Sequence, residues 1–86
     1  DISINRFDEK LSTFFIQNTN AELNLNLNEI SNYSLLVEQS DKNTLNLSHQ
    51  ILLKSKTKKS SLFAKGSEDE ATKIEIDCMQ CDIHLF

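Results

Sequence analysis

Apolar and polar positions alternate along the final stretch of this chain, Thr72 to Phe86. Ile74, Ile76 and Cys78 are interleaved with Glu75 and Asp77. After Met79-Gln80 the alternation resumes, with Cys81, Ile83 and Leu85 set against Asp82 and His84. A period of two marks a strand with one buried face. The pattern predicts two strands, Thr72 to Cys78 and Cys81 to Leu85, meeting at a tight corner. The same polar–aliphatic–polar–aliphatic cassette occurs as Asp1-Ile2-Ser3-Ile4, Glu22-Leu23-Asn24-Leu25, Thr44-Leu45-Asn46-Leu47 and Asp82-Ile83-His84-Leu85. The first apolar residues fall at positions 2, 23, 45 and 83, spaced by 21, 22 and 38. A period near twenty points to stacked repeats, with the last gap read as two units, one of them degenerate.

The rest of the chain fills in around these cassettes. Leu11 to Ile16 reads as a strand, rich in the β-branched and aromatic residues that suit a pleated surface. A helix over Asp8 to Phe15 would be too short to hold. Gln17 to Asn20 reads as a turn. Ala21 to Asn28 gives the cleanest alternation, with Ala21, Leu23, Leu25 and Leu27 on one face. Tyr33 to Glu38 is another strand, Gln39 to Asn43 a turn, Thr44 to Ser48 a strand. Ile51 to Lys58 alternates with lysines on its polar side. Ser61 to Ala64 is a short apolar patch. Lys65 to Ala71 is a loop in which Ser67 and Glu70 match a helix capping box, enough for a single helical turn. Leu23, Leu25, Leu27, Leu45, Leu47, Ile74, Ile76, Ile83 and Leu85 are the expected core. Asn24, Asn26, Asn46, Glu75 and Asp77 are the expected solvent face.

Composition adds three constraints. Eighty-six residues make one small domain, 1–86, with limited capacity to bury surface. The chain has one glycine and no proline, so asparagines, which tolerate left-handed backbone, are expected to serve at turns: Asn18, Asn20, Asn32 and Asn43. The net charge of −4 argues against a general nucleic-acid binder. No run is long and apolar enough for a transmembrane helix. The chain starts in a strand without an initiator methionine, as an excised domain or processed product would.

Candidate chemistry is sparse. Cys78-Met79-Gln80-Cys81 is a CxxC, which elsewhere serves redox or zinc sites. Redox versions sit at a helix N-terminus, whereas the residues after Cys81 alternate like a strand. Strand alternation also points Cys81 and His84 to opposite faces. The favoured reading is two buried, uncoordinated thiols beside Ile76 and Ile83, with His84 in solvent. A disulfide across the corner and a metal site with Cys78, Cys81 and His84 are its rivals. Asp82 and His84 are read as sharing a solvated face with Glu75 and Asp77. No phosphate loop, nucleophile elbow or zinc-protease motif is present, so no catalytic, cofactor-binding or metal-ligating residue is assigned. Lys54, Lys56, Lys58, Lys59 and Lys65 form the one basic region. It is either protection of an edge strand or a contact for an anionic partner. The sequons at Asn32 and Asn46 are read as chance.

The closing strands and Glu22 to Leu27 resemble the DUF4097-type putative adhesin modules and the C-terminal domain of LiaF-like cell-envelope stress proteins. Lys73-Ile74-Glu75-Ile76 matches their first strand and Asp82-Ile83-His84-Leu85 the second, with Cys81 where those families carry glycine. The resemblance implies a β-solenoid or rolled β-sheet at or outside the cytoplasmic membrane, acting in stress signalling or surface interaction without catalytic residues. The resulting expectation is an all-β module, a short β-solenoid or rolled sheet with essentially no helix. It would serve as a non-catalytic interaction or sensing part of a bacterial cell-envelope protein, without cofactor, membrane-attached through a segment elsewhere. Its expected partners are a protein, an anionic envelope polymer, or a second copy meeting open repeat ends. A small β-sandwich that binds a macromolecule and a metal or redox protein built on the CxxC are the rival readings.

Overall fold

The computed structural model describes residues 2–4, 13–28 and 30–86. Among them lie nine strands: β1 (Ile2–Ile4), β2 (Thr13–Thr19), β3 (Glu22–Leu25), β4 (Tyr33–Glu38), β5 (Thr44–Leu47), β6 (Leu53–Lys56), β7 (Ser60–Lys65), β8 (Thr72–Met79) and β9 (Asp82–Leu85). The helical content described is two single 3₁₀ turns, Ser40–Lys42 and Glu68–Glu70. The second coincides with the capping-box loop. The all-β expectation therefore holds at the level of secondary structure.

The strands form two open sheets. The first has the order β1-β3-β9-β5, all parallel; the second has the order β2-β8-β4-β7-β6. In the second, β2, β8 and β4 are parallel, and β7 and β6 continue it antiparallel. The four cassettes of the sequence are the four strands of the first sheet, in perfect register. Ile2, Leu23, Ile83 and Leu45 occupy one row. Their spatial order is not chain order, because the C-terminal cassette lies between the second and third. The long gap before Ile83 is thus no degenerate repeat but the β6–β7 hairpin and β8. A solenoid of successive coils does not follow from this topology.

Each of β2–β3, β4–β5 and β8–β9 crosses from one sheet to the other at a sharp corner. A corner this tight needs one residue in the left-handed region, and here these are Asn20 (φ 54°), Gln39 (φ 55°) and Gln80 (φ 58°). Asn20 fits the expectation for asparagine. Asn43 instead has extended backbone (φ −119°) and works through its side chain. Its Nδ2 donates to the Gln39 and Cys78 carbonyls at 2.8 and 2.7 Å, and its Oδ1 accepts from the Cys81 N–H at 2.8 Å. Asn32 likewise accepts from the Ser67 N–H at 2.7 Å.

The core fills the space between the sheets. Leu23, Leu25, Ile83 and Leu85 of the first sheet face Leu35, Val37, Phe63, Ile74 and Ile76 of the second, all fully or almost fully buried. Leu27, Ile30, Tyr33 and Ile51 complete it. Burial of each such side chain stabilises by about 1.5–3 kcal/mol.

Three expectations need correction. Leu47 is exposed (43%) and Leu45 only partly buried, because β5 is the edge of its sheet among the described residues. Asp82 and His84 do not share a face with Glu75 and Asp77. The corner turns the chain over, so these pairs lie on the outer surfaces of opposite sheets. The second strand runs through Thr19, so Gln17 to Thr19 is strand and the bend falls at Asn20; Leu11 and Ser12 lie outside the described residues. The apolar patch Ser61 to Ala64 lies within β7, which pairs with β4 and β6. Its short run is a strand with one buried face, Ser61 and Phe63 pointing inward.

Candidate functional site

The largest revision concerns the CxxC. Cys78 and Cys81 are joined by a disulfide, and no free cysteine remains. The expected burial is present, with both residues 2% exposed or less, but the thiols are not free. The corner explains the pairing. Left-handed Gln80 folds the chain so that two buried residues, Cys78 of β8 and Cys81 just before β9, approach to a Cα–Cα distance of 6.0 Å. His84 lies on the opposite side of β9, as alternation requires. Its Nε2 sits 3.4 Å from Asp82 Oδ2 and 3.8 Å from Glu22 Oε1. Asn46 Nδ2 donates to Asp82 Oδ1 at 2.7 Å. This polar row decorates the outside of the first sheet. Among the described residues no group of three or more His, Cys, Asp or Glu side chains is arranged to hold a metal ion.

Lys56, Lys58 and Lys59 gather at the β6–β7 hairpin, where the second sheet outruns the first. The hairpin β6–β7 turns at Thr57 to Ser60: the Thr57 N–H donates to the Ser60 carbonyl at 2.8 Å, and the Ser60 N–H donates to the Thr57 hydroxyl at 3.1 Å. Lys58 and Lys59 therefore occupy the hairpin tip. The Ser40 N–H donates to the Lys59 carbonyl at 2.7 Å, and the Ser61 hydroxyl donates to Ser40 Oγ at 3.1 Å in a buried contact. These bonds fix the 3₁₀ turn against the hairpin. Between them opens a recess of about 120 Å³ lined by Ser40, Asp41, Leu45, Lys56, Lys58 and Ser61.

The five lysines singled out by sequence are all exposed, but they are not one stripe. The β6–β7 register slips between Leu53 and Ser55, which leaves Lys54 as the extra residue of a bulge. Lys56 then pairs with inward-facing Ser61 and joins Lys58 at the recess, while Ser55 pairs with Leu62 on the outer face. Lys54 and Lys56 thus do not follow simple alternation. Lys65 pairs with Tyr33 at the far end of β7. The recess brings together Lys56 and Lys58, with Lys59 beside them at the tip. Ser40, Asp41, Leu45 and Ser61 were not foreseen as lining residues. Their convergence depends on strand order, for which the sequence has no local signal.

The chain is acidic overall, and three of its carboxylates cluster. Glu38, Glu75 and Asp77 are neighbours on the outer face of β4 and β8. Loss of hydration and the adjacent Glu75 and Asp77 push the Glu38 carboxyl above its ordinary range. Lys58 and Lys59 stand close by at the hairpin tip, whose Ser60 pairs with Glu38. No family model, curated protein or solved structure matches the chain.

Proposed function

We propose that this chain is a non-catalytic interaction module that engages an anionic partner at the Lys56–Lys58 recess. The observation that carries the reading is that exposed Lys56 and Lys58 line one recess at the uncovered end of the core. Leu47, Leu52 and Leu53 are also exposed, at 43, 69 and 48%. Apolar surface rimmed by charge is what interaction sites present. The extracytoplasmic placement rests on the buried Cys78–Cys81 disulfide, since such bonds persist in oxidising compartments. The likeness of the cassettes to adhesin-type modules points the same way, and their in-register stacking favours a rolled sheet over other two-sheet arrangements. No helix among the described residues is long and apolar enough to cross a membrane.

The test is binding to poly-L-glutamate and to poly(glycerol phosphate) at increasing salt, for the parent chain and for the double variant Lys56→Glu/Lys58→Glu. The reading expects salt-sensitive binding to at least one polymer and its loss in the variant. Equal binding by both proteins, or none by the parent at low salt, would refute it.

A further inference from the structure

We propose that the free edge of β5 accepts an extended acidic segment of a partner protein, which adds a strand to the first sheet beside the lysine recess. The inference rests on the anionic-partner reading and specifies its form.

Three observations lead to it. The first is the mismatch in length between the sheets. The second sheet continues past β4 through β7 and β6, whereas the first stops at β5, the partner of β4 across the corner. Beyond β5 the inner side of β6 is left uncovered, and Leu53, paired with core residue Phe63, is exposed there. One added strand would sit where that cover is missing.

The second is the state of the β5 edge. The Thr44 and Ser48 N–H groups donate to the Cys81 and Leu85 carbonyls, so residues 44, 46 and 48 direct their backbone polar groups toward β9. By alternation Leu45 and Leu47 direct theirs outward. Unpaired backbone of this kind is a template for another strand, and proteins commonly block it with charge. The neighbouring edge strand β6 carries Lys54 and Lys56. β5, Thr-Leu-Asn-Leu, carries no charge at all.

The third is charge. An incoming strand beside Leu45 passes over the recess lined by Lys56 and Lys58. Alternate side chains of a strand point to one face. Leu53 and Lys56 lie on the same inner side of β6, so a segment whose inward positions are apolar toward Leu53 and acidic toward Lys56 and Lys58 would meet both while its backbone paired with β5. Asp41 on the recess rim is one acid against the two lysines of the lining. A second copy of this chain fits less well. Edge-to-edge pairing through β5 would bring two copies of the lysine cluster to one seam.

The experiment uses the whole chain, labelled with ¹⁵N, and an alternating dodecapeptide in which every second residue is serine and the residues between are glutamate in one half and valine in the other. Controls are the same composition in scrambled order, the alternating peptide N-methylated at every second residue, and poly-L-glutamate. The proposal expects saturable binding of the alternating peptide, with slowed hydrogen exchange at the Leu45 and Leu47 amides. Binding should fall by about tenfold or more for the scrambled and N-methylated peptides, and likewise for Lys56→Glu/Lys58→Glu. Both lysines are exposed, so that variant retains the fold, which circular dichroism checks. Equal binding of the alternating peptide, the scrambled peptide and poly-L-glutamate, with the Leu45 and Leu47 amides unchanged, would overturn strand addition and leave the anionic-partner reading standing. Failure of every anion to bind would overturn both. Protection of the two amides without peptide, together with a dimeric mass in sedimentation, would assign the edge to a second copy and overturn the acidic-segment proposal.

Discussion

Replacing Asn43 by alanine removes three hydrogen bonds at one point and little apolar surface. The Nδ2 bonds to the Gln39 and Cys78 carbonyls and the Oδ1 bond from the Cys81 N–H measure 2.7–2.8 Å. A typical net contribution is about 1 kcal/mol per bond, and a buried group left unpaired costs about 1–3 kcal/mol. Cys78 and Cys81 are buried, so their freed groups have poor access to water. The Gln39 carbonyl lies at a more open corner and is rehydrated more readily. The expected loss is therefore about 2–4 kcal/mol. A domain of this size has total stability of about 4–13 kcal/mol by the usual per-residue range. Asn43→Asp sharpens the test: the Cys81 bond survives, but a carboxylate oxygen is set against two carbonyls that had received a donor. It should cost at least as much as alanine at neutral pH. Urea unfolding followed by far-ultraviolet circular dichroism measures both, with the slope expected to stay constant. A loss under about 0.5 kcal/mol for Asn43→Ala, within ordinary surface variation, would refute the assignment of Asn43 as the clamp of two corners.

Four further outcomes follow from the same structure. The Cys78–Cys81 disulfide closes a short loop, and chain-entropy reasoning gives it about 2 kcal/mol; reduction should lower stability by that order, and thiol titration of the unreduced, denatured protein should find no thiols. Leu25 and Leu47 hold the same cassette position in one row, on either side of Leu85, yet Leu25→Ala should cost about 2–5 kcal/mol and Leu47→Ala under about 1, by denaturant titration. Gly66→Ala should destabilise by about 1 kcal/mol or more, since Gly66 has φ +78° and an added Cβ would lie 1.9 Å from Asn32 Oδ1. Glu38 has its folded pKa raised above the unfolded value, so the folded state binds its proton more tightly; stability contributed by this group should rise as pH falls through that raised value and level off below the ordinary Glu range. Glu38→Gln should stabilise at neutral pH and flatten that rise, and an unchanged pH profile would count against the carboxylate cluster.

What could be read from the sequence was periodicity. Strands β4, β5, β8 and β9 fall where alternation places them, and Leu23, Leu25, Leu27, Ile74, Ile76, Ile83 and Leu85 are buried as their parity requires. The cassette repeat proved to be a sheet row, since equivalent positions of parallel strands face the same neighbours. Spatial order was not legible, because nothing in Asp82 to Leu85 distinguishes an inner strand from an end strand. Leu47 was misjudged for that reason: parity fixes the face, and only the neighbours fix the cover. The pairing of the CxxC is not visible from alternation along each strand separately. Two inward residues flanking a corner face each other across it, and that places the sulfurs within bonding reach. The bulge at Lys54 likewise has no mark in the run of alternating lysines.

The placement of β9 between β3 and β5 decides which edge is free and so underlies the functional reading. Nuclear Overhauser contacts across the first sheet test it directly. The account predicts backbone and methyl contacts from Ile83 to both Leu23 and Leu45, with none directly between Leu23 and Leu45 backbones. Direct backbone contacts between Leu23 and Leu45, with Ile83 bordering only one of them, would contradict the inserted C-terminal strand and with it the open edge at β5.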